Sequence, residues 1–441
     1  MKRGARRDMR ADGPTLTARI VDLTHDCEGV ADVDGKRVFV ADALPGELVE
    51  LKLRKRRRKL QEAELERVVE PSPDRVSPEC EYFGRCGGCA LQHLAYPLQV
   101  EFKQRAVAQA LARIARVEPD EWLPAFADKP WGYRRRARLG VKYVQGKQRV
   151  LVGFRERAAP YITDMARCPV LAPPLDGLLG PLAELIAGTS VRERLPQIEA
   201  AAGDDASALV LRVLDAPSPA DVEAFAAFGA CHDVDMYLQP GGPGTVAPIG
   251  RARTLRYSLA KLGVTLEFLP TDFVQVNALV NEELVATAIE LAQVRPSDSV
   301  LDLYCGLGNF SLPFAQRARE LLGVEGEAGL VARAVRNATA NGVGNARFVT
   351  ADLAQPEWSF FRSPSDVVVL DPPRTGAAAA AAAMDRIAPR RIVYVSCHPA
   401  TLARDAQVLV ERHGYRLRAV RVFDMFPHTH HVEALALFER R

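Results

Sequence analysis

A cysteine and an acid near the C-terminus are the residues of this chain best suited to covalent chemistry. Cys397 follows a β-rich stretch, Arg391–Ser396, so its thiol is expected at the end of a strand. A thiol in that position can attack an electrophilic carbon once its proton is removed. Glu433 comes shortly after His428, His430 and His431, and it can serve as a general base, which contributes roughly 10²–10⁴ in rate. A lone cysteine is more often a small buried side chain, so the hypothesis depends on its neighbours.

A glycine-containing turn follows a predicted strand at Ser299–Leu303 and precedes a helix. Gly306 and Gly308 allow a ligand to approach the backbone at the crevice where such sheets bind cofactors. A dinucleotide fingerprint would need a third glycine at the position of Ser311. The turn therefore predicts a cofactor site and disfavours an NAD-linked oxidoreductase.

Acids end the next two predicted strands, as expected of a nucleoside site. Glu325 suits ribose hydroxyls, and Asp352 is placed to meet an adenine amine. The alternative is that both are ordinary surface acids after strands.

A rigid acidic turn, Asp371-Pro372-Pro373-Arg374, follows the fourth predicted strand. The two prolines hold the Asp371 carboxylate at the sheet edge. Enzymes that methylate base or glutamine amines usually have an aromatic residue where Arg374 lies. Arg374 thus argues against an amine substrate.

Three cysteines, Cys80, Cys86 and Cys89, have the spacing of a metal site. The glycines between the last two let both thiolates face one centre, and a closed site needs a fourth ligand. Cys168 is the best candidate, because Cys27 lies within a strand pattern. Zinc and an iron–sulfur cluster both remain open at this point, and a structural role is favoured over a redox one.

These residues are positioned by the helices and strands of the domains around them. The length of the chain, 441 residues, suggests about three domains. With 48% apolar and 26% charged residues, the chain is neither disordered, collagen-like nor a small disulfide scaffold. We find no apolar segment long enough to cross a membrane and no secretory signal, so we predict a cytoplasmic protein.

Two basic stretches predict a nucleic-acid partner. Residues 52–59 contain seven cations and no acid, and residues 131–157 contain nine cations and one acid. Tyr133, Tyr143 and Phe154 interleave with the second stretch. Cations attract phosphates and aromatic faces stack on exposed bases, although a basic face can also be merely solvated.

The chain divides into a basic tail (1–12), a region of short strands (13–70), a mixed region (75–270) and a region of alternating strands and helices (274–441). The first strands, punctuated by the Asp34-Gly35 turn, predict a small β-barrel that binds nucleic acid. A helix is predicted over 96–117, and another over the alanine run at 377–383. The last region predicts a doubly wound, mostly parallel sheet. Its strands are placed at 299–303, 320–325, 346–350, 367–370, 391–396, 416–423 and 431–438.

The C-terminal half resembles the S-adenosylmethionine-dependent RNA uracil-C5 methyltransferases. The motifs that carry this resemblance are Phe273-Val274-Gln275-Val276-Asn277, the segment 302–310, Asp371-Pro372-Pro373-Arg374, Ser396-Cys397-His398-Pro399 and the segment 427–433. The N-terminal barrel resembles a TRAM RNA-binding domain. Cys80, Cys86, Cys89 and Cys168 match the ligands of that family's [4Fe-4S] cluster. Barrel and cluster together resemble the 23S ribosomal RNA branch, because the transfer-RNA branch typically lacks both.

The resemblance implies a fold and a mechanism. The C-terminal region would be a Rossmann-like methyltransferase domain, and the middle region an α+β iron–sulfur domain. Cys397 would bond C6 of a flipped-out uracil, and Glu433 would remove the C5 proton. The cofactor or base would be surrounded by Gln275, Tyr304, Asn309, Glu325, Asp352 and Asp371. Asp371 would touch the uracil edge.

The implied cofactors are S-adenosylmethionine and a [4Fe-4S] cluster, and the implied partner is 23S ribosomal RNA. We expect a monomer without a membrane partner. Methylation of another uridine, in transfer RNA or in 23S RNA, is the alternative of the same class. A non-catalytic iron–sulfur RNA-binding protein is the alternative of a different class.

Overall fold

The computed structural model describes residues 14–54, 61–355 and 364–441. The basic tail at 1–12 and most of the basic stretch at 52–59 therefore lie outside the described residues. The chain forms two compact units: residues 1–99 with His428–His430, and Val100–Pro427 with His431–Arg441. The domain boundaries inferred from the sequence stay a prediction.

The first unit contains a closed five-stranded barrel in the order β1-β2-β3-β5-β4. Its hairpin turn has left-handed φ values of 52° at Asp34 and 73° at Gly35, which match the right-handed twist of the flanking strands. Buried side chains such as Ile20, Val40 and Leu51 fill the barrel. The barrel predicted from the sequence is thus confirmed. Its strands are β1 (Thr15–Leu23), β2 (Glu28–Val33), β3 (Lys36–Ala41), β4 (Leu48–Leu53) and β5 (Gln61–Glu70).

The helix predicted over 96–117 is α1 (Tyr96–Ala110), which continues as a wider π-helical turn at Leu111–Ala115. Arg116 ends this turn with a left-handed φ of 55°. A two-residue strand, β6 (Glu121–Trp122), follows it in the chain.

The central part of the second unit is an α+β region built on a six-stranded sheet of order β12-β11-β10-β9-β7-β8. Two helices, α2 (Leu179–Ala187) and α3 (Pro219–Cys231), accompany it, and a separate hairpin follows it. These strands are β7 (Arg136–Val144), β8 (Arg149–Gly153), β9 (Gln197–Ala202), β10 (Ser207–Arg212), β11 (Val234–Gln239), β12 (Ala247–Ile249), and β13 (Leu255–Leu259) and β14 (Val264–Phe268) of the hairpin.

The basic stretch at 131–157 is less accessible to a ligand than its sequence predicts. Tyr133 is only 4% exposed, and its hydroxyl donates to a backbone carbonyl, so this ring is not available for base stacking. Arg136 and Arg138 both pair with Glu199, at 2.9 and 3.1 Å. Cations that remain exposed are Arg138, Lys142, Lys147, Arg149 and Arg155.

The C-terminal part is an eight-stranded sheet of order β17-β16-β15-β18-β19-β21-β20-β6. Strands β15 to β19 are parallel to one another, and β21 is antiparallel to both β19 and β20. The predicted doubly wound, mostly parallel sheet is therefore confirmed. The strands are β15 (Ser299–Leu303), β16 (Glu320–Glu325), β17 (Ala346–Thr350), β18 (Val367–Leu370), β19 (Arg391–Ser396), β20 (Tyr415–Phe423) and β21 (Glu433–Arg440).

Strand order reverses beside β15, which pairs with β16 on one side and β18 on the other. A crevice opens at the carboxyl ends of the strands at such a point, and ligands bind there in open α/β sheets. Apolar side chains such as Leu303, Tyr394 and Phe438 form one buried core around the sheet. The accompanying helices are α4 (Ala278–Ala292), α5 (Ser311–Ala315), α6 (Ala328–Ala340), α7 (Ala378–Ala382), α8 (Met384–Ile387) and α9 (Pro399–Gln407).

The alanine run predicted as a helix is α7, so that prediction is confirmed. None of the described helices is both long and apolar enough to cross a membrane. Single helical turns lie at Gln145–Lys147, Leu175–Gly177, Pro243–Thr245, Ala260–Leu262 and Val408–Arg412.

Candidate active site

A cavity of about 530 Å³ opens at the carboxyl ends of the parallel strands, where the strand order reverses. Cys397 and Glu433 both line it, together with most of the residues predicted to bind the cofactor or the base. Those residues are Gln275, Tyr304, Asn309, Glu325 and Asp371. The structure thus brings seven sequence-predicted residues to one cavity.

The turn formed by residues 304–308 after β15, called the cofactor turn below, has left-handed backbone at three positions. Tyr304, Gly306 and Gly308 have φ values of 67°, 55° and 103°. The N–H groups of Tyr304 and Cys305 both donate to the carbonyl of Val324 in β16, which fixes the start of the turn. Because glycine adopts positive φ without steric cost, the two glycines let the backbone form the cavity wall.

Glu325, the last residue of β16, is fixed by backbone donors on both oxygens. Its Oε2 accepts from the N–H of Gly306 at 3.1 Å, and its Oε1 accepts from the N–H of Glu327 at 3.0 Å. Each carboxylate oxygen has a second lone pair, so Glu325 can still accept from ribose hydroxyls.

Asp352 is the one predicted cofactor residue that does not line this cavity. Its carboxylate accepts from the N–H of Ala354 at 2.9 Å and from the Gln355 side chain at 3.3 Å. These bonds close a local turn of the kind that Asp side chains favour. A role for Asp352 at an adenine amine stays a prediction.

Ser311, which occupies the position of the third glycine in a dinucleotide fingerprint, has a partner that the sequence does not indicate. Its hydroxyl donates to Asp302, which lies on β15 and is 1% exposed. Burial, with the charges of Asp371 and Glu325, raises the pKa of Asp302 to about 7, although the Ser311 bond lowers it. The turn therefore lies above a carboxyl that is partly protonated near neutral pH.

The β19–β21 ladder places the thiol and the acid on neighbouring strands. Ser396 pairs with Ala434 in antiparallel register, so Cys397 and Glu433 occupy the next position along the two strands. Glu433 is 3% exposed, whereas Cys397 is half-buried and faces the cavity. The sulfur is therefore accessible to a ligand and level with the acid.

Burial raises the pKa values of Cys397, Glu433 and Asp371, and neighbouring carboxylate charges add to this effect at Cys397 and Glu433. Burial, with the charges of Glu433 and Asp371, raises the pKa of Cys397 to about 11, and only the Arg374 guanidinium and a backbone bond oppose this. Burial and Asp371 raise the pKa of Glu433 well above its usual range. Burial also raises the pKa of Asp371 to about 7. Cys397 is therefore a thiol near neutral pH, and both carboxyl groups bind a proton more tightly than an ordinary carboxyl group does.

The Phe273–Asn277 motif connects the hairpin to α4 and has two structural tasks. The Gln275 side chain donates to Asp371 at 3.5 Å, which lowers the pKa of that carboxyl against the effect of burial. The Asn277 side chain accepts from the N–H of Val280 and so caps α4. The same motif therefore caps the start of α4 and supplies a side chain to the cavity.

Further cavity residues were not assigned from the sequence. The Arg374 guanidinium contacts the His431 ring at 3.1 Å, and that ring packs edge-on against Phe426 with centroids 5.4 Å apart. Tyr257 also lines the cavity although it belongs to the hairpin. Sequence patterns gave no signal for Tyr257, because its region lacks a readable periodicity.

The predicted metal ligands lie outside the cavity. In the first unit, the Cys86 sulfur accepts from the N–H of Gly88 at 3.4 Å, and tight turns follow Cys80 and precede Cys86. Such a donor stabilises a thiolate, as metal or cluster ligation requires. In the second unit, Cys168 is 6% exposed. Across the described residues, no three His, Cys, Asp or Glu side chains lie close enough together to hold a metal ion.

Comparisons with known proteins identify the family of the chain. A family model described as tRNA (Uracil-5-)-methyltransferase matches residues 257–441. The chain is 49% identical over 428 residues to the 23S rRNA (uracil(1939)-C(5))-methyltransferase RlmD of Nitrosococcus oceani, covering 96% of each chain. It is 47% identical over 441 residues to the enzyme of the same name from Alkalilimnicola ehrlichii, covering 99% of each.

A solved structure covers nearly the whole chain. It is that of the Pyrococcus abyssi tRNA (uracil-54, C5)-methyltransferase in complex with S-adenosyl-L-homocysteine, with a TM-score of 0.75 and 27% identity. The match covers 96% of this chain and 99% of that one. From the site and these full-length relatives together, the chain belongs to the family of 23S rRNA (uracil(1939)-C(5))-methyltransferases.

Proposed function

We propose that this protein transfers a methyl group from S-adenosylmethionine to C5 of a uridine in 23S ribosomal RNA, at uracil 1939. The observation that carries the proposal is the placement of Cys397 level with Glu433 in the cavity formed by the cofactor turn. The names of the full-length relatives support 23S ribosomal RNA as the substrate and uracil 1939 as the methylated base.

The proposed chemistry starts from a weak nucleophile, C5 of uracil. The Cys397 thiol first releases its proton to solvent. The thiolate sulfur then adds to C6, and the electrons of the C5–C6 bond move into an enolate at O4. S-adenosylmethionine supplies the methyl group and leaves as S-adenosylhomocysteine once C5 has taken it. Glu433 then removes the C5 proton, the C6–S bond breaks, and the thiolate leaves. The thiolate regains a proton from solvent and Glu433 releases the one it took, so the net reaction releases one proton together with S-adenosylhomocysteine.

Asp371 is proposed to stabilise the enolate. Because its pKa is raised to about 7, a protonated population exists at neutral pH and can donate a hydrogen bond to a uracil oxygen. A donor aimed at the position where negative charge develops lowers the barrier most. Gln275, which holds Asp371, would fix the direction of that donor.

Around the cofactor, we assign Glu325 to the ribose hydroxyls, with Tyr304 and Asn309 beside it on the turn. Asp352 is proposed for the adenine amine. The target base must leave its stack to enter the cavity, at a cost of a few kcal/mol. The exposed cations of the stretch 131–157 would hold the RNA backbone during that step.

For the cysteines, we propose that Cys80, Cys86, Cys89 and Cys168 ligate a [4Fe-4S] cluster with a structural role. The spacing of the first three and the N–H donor at the Cys86 sulfur support this assignment. Anaerobic purification followed by iron, sulfide and zinc analysis tests it. Zinc in place of iron, or full iron content in a Cys86→Ser variant, would contradict it.

Transfer RNA is the second candidate substrate, because the family model and the Pyrococcus abyssi structure are both named for transfer RNA. The deciding experiment supplies the full chain and S-adenosylmethionine with unmodified 23S RNA or transfer RNA in parallel, then maps methyl groups by mass. We expect one 5-methyluridine in 23S RNA. Methylation of transfer RNA alone would select the alternative.

A further inference from the structure

The β13–β14 hairpin is attached to the end of α6 by two asparagine side chains one turn apart, Asn337 within the helix and Asn341 at its C-cap. Asn341 accepts from the N–H of Thr265 at 2.9 Å and donates to its carbonyl at 2.7 Å. Asn337 makes the same pair of bonds with Glu267, at 2.9 and 3.1 Å. Residues four apart share a helix face, and alternate strand residues present their backbone groups to one side. The two side-chain amides therefore form the pairs of hydrogen bonds with β14 that the backbone of a neighbouring strand would form.

Asn337 makes one bond that Asn341 does not. Its Nδ2 also donates to the carbonyl of Leu307 at 3.0 Å, and Leu307 lies between the two left-handed glycines of the cofactor turn. Asn337 is 1% exposed, so these bonds do not compete with solvent. A single buried amide thus links the hairpin to the turn.

The hairpin also reaches the turn through Tyr257. The buried Tyr257 hydroxyl donates to Asn309 Oδ1 at 3.0 Å, and the same oxygen accepts from Asn281 Nδ2 at 2.9 Å. Asn309 Nδ2 in turn donates to Asn281 Oδ1 at 2.9 Å. Tyr257 therefore helps to hold the Asn309 side chain in place, and the Asn281 bond uses one of the two hydrogens of Asn309 Nδ2.

We infer that Asn337 and Tyr257 are positioning residues for the cofactor, acting through the Leu307 carbonyl and the Asn309 amide. The hairpin is then one wall of the cofactor site, although it precedes the methyltransferase sheet in the chain. The inference rests on the proposed function only in taking the bound molecule to be S-adenosylmethionine or its product.

The test compares Asn337→Ala with Asn341→Ala in the full-length protein, by titration calorimetry with S-adenosylhomocysteine. Both variants lose two bonds to the hairpin backbone, and only Asn337→Ala loses the bond to Leu307. Leaving that buried carbonyl without its donor is expected to raise Kd roughly tenfold, against about twofold or less for Asn341→Ala. Equal increases of the Kd for S-adenosylhomocysteine in the two variants would overturn the inference.

Tyr257→Phe supplies a second measurement that does not depend on how Asn337→Ala folds. It removes one hydroxyl, and we expect a higher KM for S-adenosylmethionine with an unchanged KM for RNA. An unchanged KM for S-adenosylmethionine would reject the role of Tyr257. Failure of the wild-type protein to bind S-adenosylhomocysteine would reject the proposed function itself, and the inference with it.

Discussion

Glu433 begins β21 at the position level with Cys397, one step beyond the Ser396–Ala434 pair. This relationship exists because β21 is antiparallel to β19, so the amino end of one strand meets the carboxyl end of the other. A parallel β21 would bring its last residues to this edge. The reversed strand therefore places an acid beside the thiol without a long loop.

Replacing Cys397 by alanine is expected to abolish methyl transfer, by more than about 10³-fold, because no other group would form the bond to C6. S-adenosylhomocysteine binding should persist, since the cofactor turn is unchanged. Transfer of a labelled methyl group to 23S RNA measures the loss. The exposed Cys231 supplies the control: Cys231→Ala should retain wild-type turnover.

Glu433→Gln is expected to trap the reaction after methylation. Without a base the C5 proton stays, so the C6–S bond cannot break and RNA remains attached to the protein. Turnover should fall roughly 10²–10⁴-fold. A covalent RNA–protein band on a denaturing gel, absent from the double variant Cys397→Ala/Glu433→Gln, would report the adduct. Normal product release by Glu433→Gln would assign the proton to another base.

The pH profile should reflect the buried carboxyl groups. Glu433 must be deprotonated to act, and burial and Asp371 raise its pKa, so activity is lost as the pH falls. We expect kcat/KM to fall about tenfold per pH unit on the acid side. Asp371→Asn removes the neighbouring charge that raises the pKa of Glu433, so the acid limb should shift to lower pH. An unshifted limb would show that Asp371 does not influence the base.

Much of this site could be predicted from the sequence, because it lies at strand ends. The β-rich stretch before Cys397 and the apolar stretch before Asp371 gave β19 and β18 with their observed bounds. A residue just after a parallel strand must lie at the ligand edge of the sheet. The side chains at these ends therefore share a cavity once the order of the strands is known.

The remainder depends on contacts that leave no pattern in the sequence. Asp352 occupies a strand-end position, but its carboxylate closes its own turn. Tyr133 is adjacent to cations, yet its ring is buried. The bonds of Asn337 run from a side chain to distant backbone, and such bonds require no periodic spacing. Only tertiary structure decides these cases.

Asp302 gives a prediction about stability. Its pKa is about 7 in the folded protein against an ordinary value of 3.8, so the folded state binds the proton more tightly. That contribution to stability is complete below about pH 4 and is lost as the pH rises through 7. Asp302→Asn keeps an acceptor for Ser311 and removes the ionisation. Urea unfolding measures the free energy of unfolding at pH 5 and at pH 8. The decrease between the two pH values should be smaller for this variant than for wild type, and equal decreases would contradict the assignment.

A buried ion pair supports the wall of the cavity and gives a last prediction. Lys103 Nζ donates to Asp424 at 2.5 Å and to the carbonyl of Phe426 at 2.8 Å, and both charged side chains are fully buried. Lys103→Met would leave Asp424 without its partner and should cost about 3–5 kcal/mol of unfolding free energy.

The double variant Lys103→Met/Asp424→Asn separates stability from positioning. It removes both charges, so most of the unfolding free energy should return, because a buried pair is often replaced at little net cost. The bond that holds the carbonyl of Phe426 is still missing, and Phe426 lines the cavity. We therefore expect a stable protein with a raised KM for RNA, measured by urea unfolding and steady-state methylation. Recovery of both quantities would show that Lys103 matters only for the stability of the fold.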